Sequence, residues 1–234
     1  SIDFTSGSGW TKTSIGTGVA VYRPSSNSYA YSITSGDATN NVTVVTNGGS
    51  SIIGSGQAFW VRATGSSPAL TCTQAVKVTA APPTVLLKSA PSNQLRLKLT
   101  QDSSNIDETV IAFGEKFSDD FLETEDVNKL VNATVNISSI VGVEKYAAIN
   151  FTSNNYKEKT IPLSVWGNKN GTYQLDLTQV EGFDPTVTLF LKDKFLNTTT
   201  AIDQNKSFNF SITDDSLSKG DFRFEISNLR FAVG

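Results

Sequence analysis

The residues best equipped for chemistry in this chain are carboxylates, and six of them fall within one short stretch: Glu115, Asp119, Asp120, Glu123, Glu125 and Asp126. Two Asp or Glu side chains about 5 to 10 Å apart across a cleft are enough for glycoside hydrolysis. The same groups, with turn carbonyls, supply the six to eight oxygens that Ca²⁺ prefers. Asp119, Asp120, Glu123 and Asp126 are therefore the candidate ligands of a structural calcium ion, although their spacing is not that of an EF-hand loop. A solvated acidic turn is the plainer alternative. The sequence contains no His and one Cys. That removes the imidazole that serine and cysteine nucleophiles rely on, and most zinc ligand sets with it. Cys72 lies in a strand-like Leu-Thr-Cys-Thr and reads as a small core residue. No long substrate cleft is visible, so the chain is read as a non-enzyme.

Aromatic rings are the second resource. A ring face stacks on the apolar face of a sugar while neighbouring amides and carboxylates bond its hydroxyls. Trp10, Tyr29, Tyr31, Tyr156 and Trp166 sit beside polar turn residues and are the candidate ligand-binding residues; closing one end of a sandwich is the competing role for each. Trp60, inside Phe59-Trp60-Val61, is expected in packing. Asn-x-Ser/Thr triplets begin at Asn41, Asn132, Asn136, Asn150, Asn170, Asn197, Asn205 and Asn209, a number expected by chance in a chain so rich in Asn and Thr.

The elements that must position these groups are strands. Val19-Ala-Val-Tyr-Arg, Tyr29-Ala-Tyr-Ser-Ile, Val42-Thr-Val-Val-Thr, Gln57-Ala-Phe-Trp-Val-Arg-Ala and Ala69-Leu-Thr-Cys-Thr recur at roughly ten-residue spacing between Gly/Ser/Asn clusters, the pattern of an all-β protein. Ala80-Ala81-Pro82-Pro83 interrupts it, because Pro cannot donate to a sheet ladder. Beyond that point Leu95-Arg-Leu-Lys-Leu alternates strictly, as a half-buried antiparallel strand does. Val110-Ile-Ala-Phe reads as a buried strand, and Phe208-Asn-Phe-Ser-Ile and Phe222-Arg-Phe-Glu-Ile alternate again. Gly167-Asn-Lys-Asn-Gly171 is expected to make a hairpin. Ser118 to Val131 is expected to form one or two helical turns, capped by Asp119 or Asp120. The predicted architecture is all-β: a small β domain at 1–81 followed by a jelly-roll-like antiparallel β-sandwich at 82–234.

Net charge is -3 with no basic cluster, which argues against a nucleic-acid partner. No apolar run approaches the roughly 18 residues of a membrane span, so no membrane insertion is expected. With no Met, the chain is expected to be a mature piece or an excised fragment.

Two blocks of sequence carry a resemblance. Ser1-Ile-Asp-Phe, Gly9-Trp-Thr-Lys, Val21-Tyr and Gly54-Ser-Gly-Gln-Ala-Phe-Trp-Val-Arg-Ala resemble a module of secreted Bacteroidota proteins whose matching block ends in Gln-x-Phe-Trp-Val. Leu95-Arg-Leu, Asp107-Glu-Thr-Val-Ile-Ala-Phe, Glu125-Asp-Val-Asn-Lys-Leu, Ala148-Ile-Asn, Ile161-Pro-Leu, Gly171-Thr-Tyr, Leu191-Lys-Asp and Phe222-Arg-Phe resemble, in that order, the β-sandwich region preceding the C-terminal sorting domain of type IX secretion substrates. Residues 1–234 contain neither the Asn-Pro-Tyr-Pro segment that opens the family block nor the sorting domain. The resemblance implies an extracellular or outer-cell-surface location, a parent protein handled by the type IX secretion machinery, and an adhesin-like role toward glycans or host and cell-surface ligands. The alternatives are a spacer that presents the sorting domain and an accessory domain of a polysaccharide-degrading enzyme.

Overall fold

The strand periodicity is realised almost everywhere. A computed structural model describes residues 1–4, 9–35, 42–79, 93–157, 159–184, 187–204 and 206–228. The break expected at residues 80–83 lies outside them, as do Asn41 and Asn205. The first part of the chain forms β1 (Ile2–Asp3), β2 (Trp10–Thr13), β3 (Ile15–Arg23), β4 (Ser28–Ser35), β5 (Val42–Thr46), β6 (Ile52–Ile53), β7 (Trp60–Ala63) and β8 (Ala69–Cys72). Four of these strands make one antiparallel sheet in the order β5-β4-β3-β7, while β1 pairs with β6 and β2 with β8.

The second part forms β9 (Asn93–Thr100), β10 (Ile106–Gly114), β11 (Val127–Asn128), β12 (Val135–Val141), β13 (Lys145–Ser153), β14 (Thr160–Gly167), β15 (Gly171–Glu181), β16 (Leu189–Asp193), β17 (Thr198–Ile202), β18 (Ser207–Ile212) and β19 (Gly220–Asn228). They join in one sheet, ordered β17-β16-β19-β14-β12-β13-β10-β9-β15-β18, with β11 added on β13. The sheet is nearly closed: Phe210 of β18, at one end of the order, meets Phe224 of β19 at 4.9 Å between ring centroids. Among the described residues no strand before residue 80 pairs with one after residue 92.

Alternation explains the interior. Leu95, Leu97 and Leu99 of β9 point inward to a core shared with Ile111, Leu163 and Phe224. Arg96 and Lys98 point outward, where Arg96 meets Glu108 at 2.7 Å and Lys98 meets Asp176 at 3.8 Å. Strand β10 does not alternate, because both its faces are covered. Ile111 and Phe113 enter the inner core, while Val110 and Ala112 pack outward against Ala20, Tyr31, Ile33 and Val44 of the small sheet. A near-continuous apolar run is the sequence signature of a strand buried on both faces.

One pairing departs from the antiparallel expectation: β10 and β13 run parallel, Val110 opposite Ile149 through Gly114 opposite Ser153. Parallel neighbours need a crossover, since no tight turn can join them. The acidic segment after Gly114 begins that crossover, followed by β11 and β12.

Three local expectations are corrected. Residues 118–131 form no helix; the only helical elements among the described residues are two 3₁₀ turns, Gln74–Val76 and Ser216–Ser218. Carboxylates divert the backbone donors a helix would use, since Glu125 accepts from the Ser118 N–H at 3.0 Å and Asp126 from the Leu122 N–H at 2.8 Å. The link at 167–171 reverses the chain but makes no hairpin, because β14 pairs with β12 and β19 whereas β15 pairs with β9 and β18. Tolerance of positive φ specifies a bend; which strands then pair is set by the core. Cys72 is exposed, at the end of β8 in a two-stranded ribbon.

Candidate functional site

A pocket of about 260 Å³ opens where the small sheet meets the crossover. Its origin is the segment Ile15-Gly16-Thr17-Gly18-Val19, where the register of β3 against β7 shifts. Glycines in a strand interior mark a bulge or a close backbone approach, and both occur here. A Cβ on Gly18 would come within 2.8 Å of the Val127 side chain. Thr17 Oγ1 donates to the Thr124 carbonyl at 3.3 Å, tying the bulge to the acidic segment.

The walls have distinct characters. Val19, Ala20, Tyr31, Val61, Val127 and Leu130 provide apolar surface. Trp60, on the edge strand β7, is 40% exposed and stands edge-on to Tyr29 at 5.2 Å; packing was expected to bury it. The rim is charged, with Arg62 Nε 2.7 Å from Glu123 Oε1. Tyr31 is fully buried, and its hydroxyl donates to the Leu130 carbonyl at 3.2 Å and accepts the Leu130 N–H at 2.8 Å. That residue therefore clamps the small sheet to the crossover.

Asp126 is the perturbed carboxyl of this site. It is 2% exposed, and its two oxygens accept the N–H groups of Leu122 and Phe151, each at 2.8 Å. Burial pushes its carboxyl up to about 7 against those two hydrogen bonds, with Glu125 and Glu123 adding a smaller push in the same direction. Because the folded-state value lies above the unfolded one, the folded protein holds a proton that the unfolded chain releases. The resulting stability is complete below about pH 4 and lost as pH rises toward about 7. We expect the stability advantage of the wild type over Asp126→Asn to shrink steadily from pH 4 to pH 7, measured by denaturant unfolding at each pH. A constant difference would contradict the assignment.

The four candidate calcium ligands go to different partners. Asp119 takes Lys159, the Thr152 hydroxyl at 2.8 Å and the Ser153 N–H at 2.9 Å. Its modest burial works to raise its pKa, but these donors outweigh that and hold it well below the usual carboxylate range. Glu123 pairs with Arg62, Asp126 faces inward, and the Asp120 N–H donates to Ser118 Oγ at 3.0 Å. Among the described residues no group of three or more His, Cys, Asp or Glu is arranged to hold a metal ion.

The five candidate aromatics also separate. Trp10 packs edge-on against Phe4 and donates to the Asp3 carbonyl at 2.6 Å. Tyr156 joins Phe113 and Phe183 against the inner core. Trp166 lines a second concavity with Tyr146 and Asp221. Of the five, Tyr31 lines the pocket, and Tyr29 stands behind it, in ring contact with both Tyr31 and Trp60. Trp60, Arg62 and the Gly16/Gly18 pair were not singled out as site residues by their sequence context. The isolated glycines inside a strand-like run were the available signal.

Fold and pocket define an all-β protein in which a small sheet is docked on a large, nearly closed one, with a largely apolar pocket along the seam. Residues 8–227 match the family model described as Domain of unknown function (DUF8693), and the chain belongs to that family. No curated protein and no solved structure matches the chain.

Proposed function

We propose that this chain is a non-catalytic binding module of a secreted cell-surface protein, and that it takes a small polyhydroxylated ligand, such as one sugar ring, in the pocket beside Trp60. The observation that carries this reading is a large ring held exposed over an apolar floor, with the Arg62–Glu123 pair at the rim. Exposed rings flanked by a few fixed polar groups suit a ligand with one apolar face and several hydroxyls. The volume is just under the roughly 300 Å³ at which drug-sized sites begin, which favours a single ring. The secreted, cell-surface setting draws its support from the type IX resemblance in the sequence.

Binding is tested by titrating Trp fluorescence with the monosaccharides and short oligosaccharides of bacterial and host surface glycans. Trp60→Ala is expected to weaken the best of these by at least about tenfold, as loss of a central aromatic anchor does, while leaving the fold intact. Absence of binding to every sugar, or undiminished binding by Trp60→Ala, would refute the reading.

A further inference from the structure

Asp107 and Lys129 form a buried pair whose geometry has a chemical consequence. Asp107 lies on β10 and Lys129 directly follows β11, and their side chains are 0% and 4% exposed. Lys129 Nζ lies 2.6 Å from Asp107 Oδ2. Asp107 is its ion-pair partner, and among the described residues no further acceptor takes the remaining donors of Nζ. An ammonium carries three donors and is costly to bury without satisfying them. Here the other neighbour is the face of Tyr31, 5.5 Å from Nζ.

The carboxyl, by contrast, is fully fixed. Ile137 N–H donates to Oδ2 at 2.7 Å, and Asn47 Nδ2 donates to Oδ1 at 3.2 Å. Asn47 is itself held, by donating to the Tyr29 carbonyl at 2.7 Å and through its own N–H to Glu108 at 2.6 Å. An amine is thus pressed against an immobilised carboxyl in a site closed to solvent.

We propose that Lys129 and Asp107 condense to an intramolecular amide, cross-linking β10 to the segment that follows β11. Proton transfer within the pair converts ammonium and carboxylate to amine and carboxylic acid, a change the burial of Lys129 favours by lowering its pKa. Nζ then attacks Cγ: the C–N bond forms, the Cγ–Oδ2 bond breaks, and Oδ2 leaves as water with two of the three ammonium hydrogens. Oδ1 remains as the amide oxygen, with Asn47 positioned to donate to it. No oxidant or second reactant is required. Condensation that is unfavourable between free groups in water becomes accessible when they are held together, since effective molarities reach about 10⁵–10⁸ M for well-oriented pairs. The bond would enclose the whole acidic crossover in a covalent ring, a role no internal disulfide can play in a sequence with one Cys.

Intact-mass spectrometry of the purified folded chain, denatured just before measurement, tests the proposal. The wild type is expected one water lighter than its sequence mass, with a tryptic digest yielding one branched peptide that joins Asp107 to an uncleaved Lys129. Lys129→Met is expected at its full sequence mass. A wild type at full mass overturns the proposal. So does a water loss that persists in Lys129→Met, because it would then arise elsewhere in the chain.

Discussion

Asp193→Ala is expected to lower the unfolding free energy by about 3–5 kcal/mol, the range found when one partner of a buried ion pair is removed. Asp193 ends β16 and Arg223 lies on β19, with side chains 1% and 2% exposed. Arg223 Nη2 donates to Oδ2 at 2.9 Å and Nε to Oδ1 at 3.3 Å. Oδ1 also accepts the N–H groups of Phe195 and Leu196, at 2.9 and 3.2 Å, so one carboxylate both neutralises the guanidinium and builds the following turn. The guanidinium lies 4.8–5.0 Å from the rings of Phe195, Phe210 and Phe224. Truncating Asp193 would leave that cation among rings with, among the described residues, the Ser211 and Ser218 carbonyls as acceptors. Urea unfolding should show a lower midpoint at unchanged slope. Combining Asp193→Leu with Arg223→Met should recover most of the loss, because removing both charges also removes their desolvation cost. A loss under about 1 kcal/mol for Asp193→Ala, the scale of a surface pair, would show that solvent reaches this site.

Tyr31→Ala should be comparably severe, at about 3–5 kcal/mol, the range for deleting a buried aromatic ring. Its ring fills the space between the small sheet and the outward face of β10 and β13, in a cluster with Ala20, Val110, Ala112, Ala148 and Phe151. Its hydroxyl is the partner of the Leu130 N–H, which would be left half-buried and unpaired. Tyr31→Phe separates the two contributions: it keeps the ring and should cost about 1–2 kcal/mol, the price of the unsatisfied amide alone. Both variants act on the seam that forms the pocket, so Tyr31→Ala should also abolish sugar binding at Trp60. Equal losses for the two variants would show that the hydroxyl, not the ring, holds the sheets together.

These expectations draw on features the sequence reveals unequally. The alternation of Leu95-Arg-Leu-Lys-Leu fixed which residues of β9 enter the core, since a two-residue period assigns faces without knowledge of the partner strands. The unbroken run Val110-Ile-Ala-Phe marked β10 as a buried strand, and the structure shows that its outward face is covered by the small sheet. Turn chemistry located the bend at 167–171 but could not say which strands it joins. The acidic residues drew attention to the right segment for an incomplete reason. Two of them, Glu123 and Asp126, line the pocket, whereas Asp119 is drawn toward Lys159, 40 residues away in sequence.

What the sequence determined alone was the β class, the inward faces of its longer strands and the exclusion of His-based chemistry. Those properties are local, fixed by residue type and by periodicities of a few residues. What only the tertiary structure decided was which distant groups meet: Trp60 with Tyr29, Arg62 with Glu123, Asp193 with Arg223 and Lys129 with Asp107. Each of these meetings depends on strand order and on how one sheet docks on another. Such long-range contacts are chosen by the packing of the whole core, and no short window of sequence contains them.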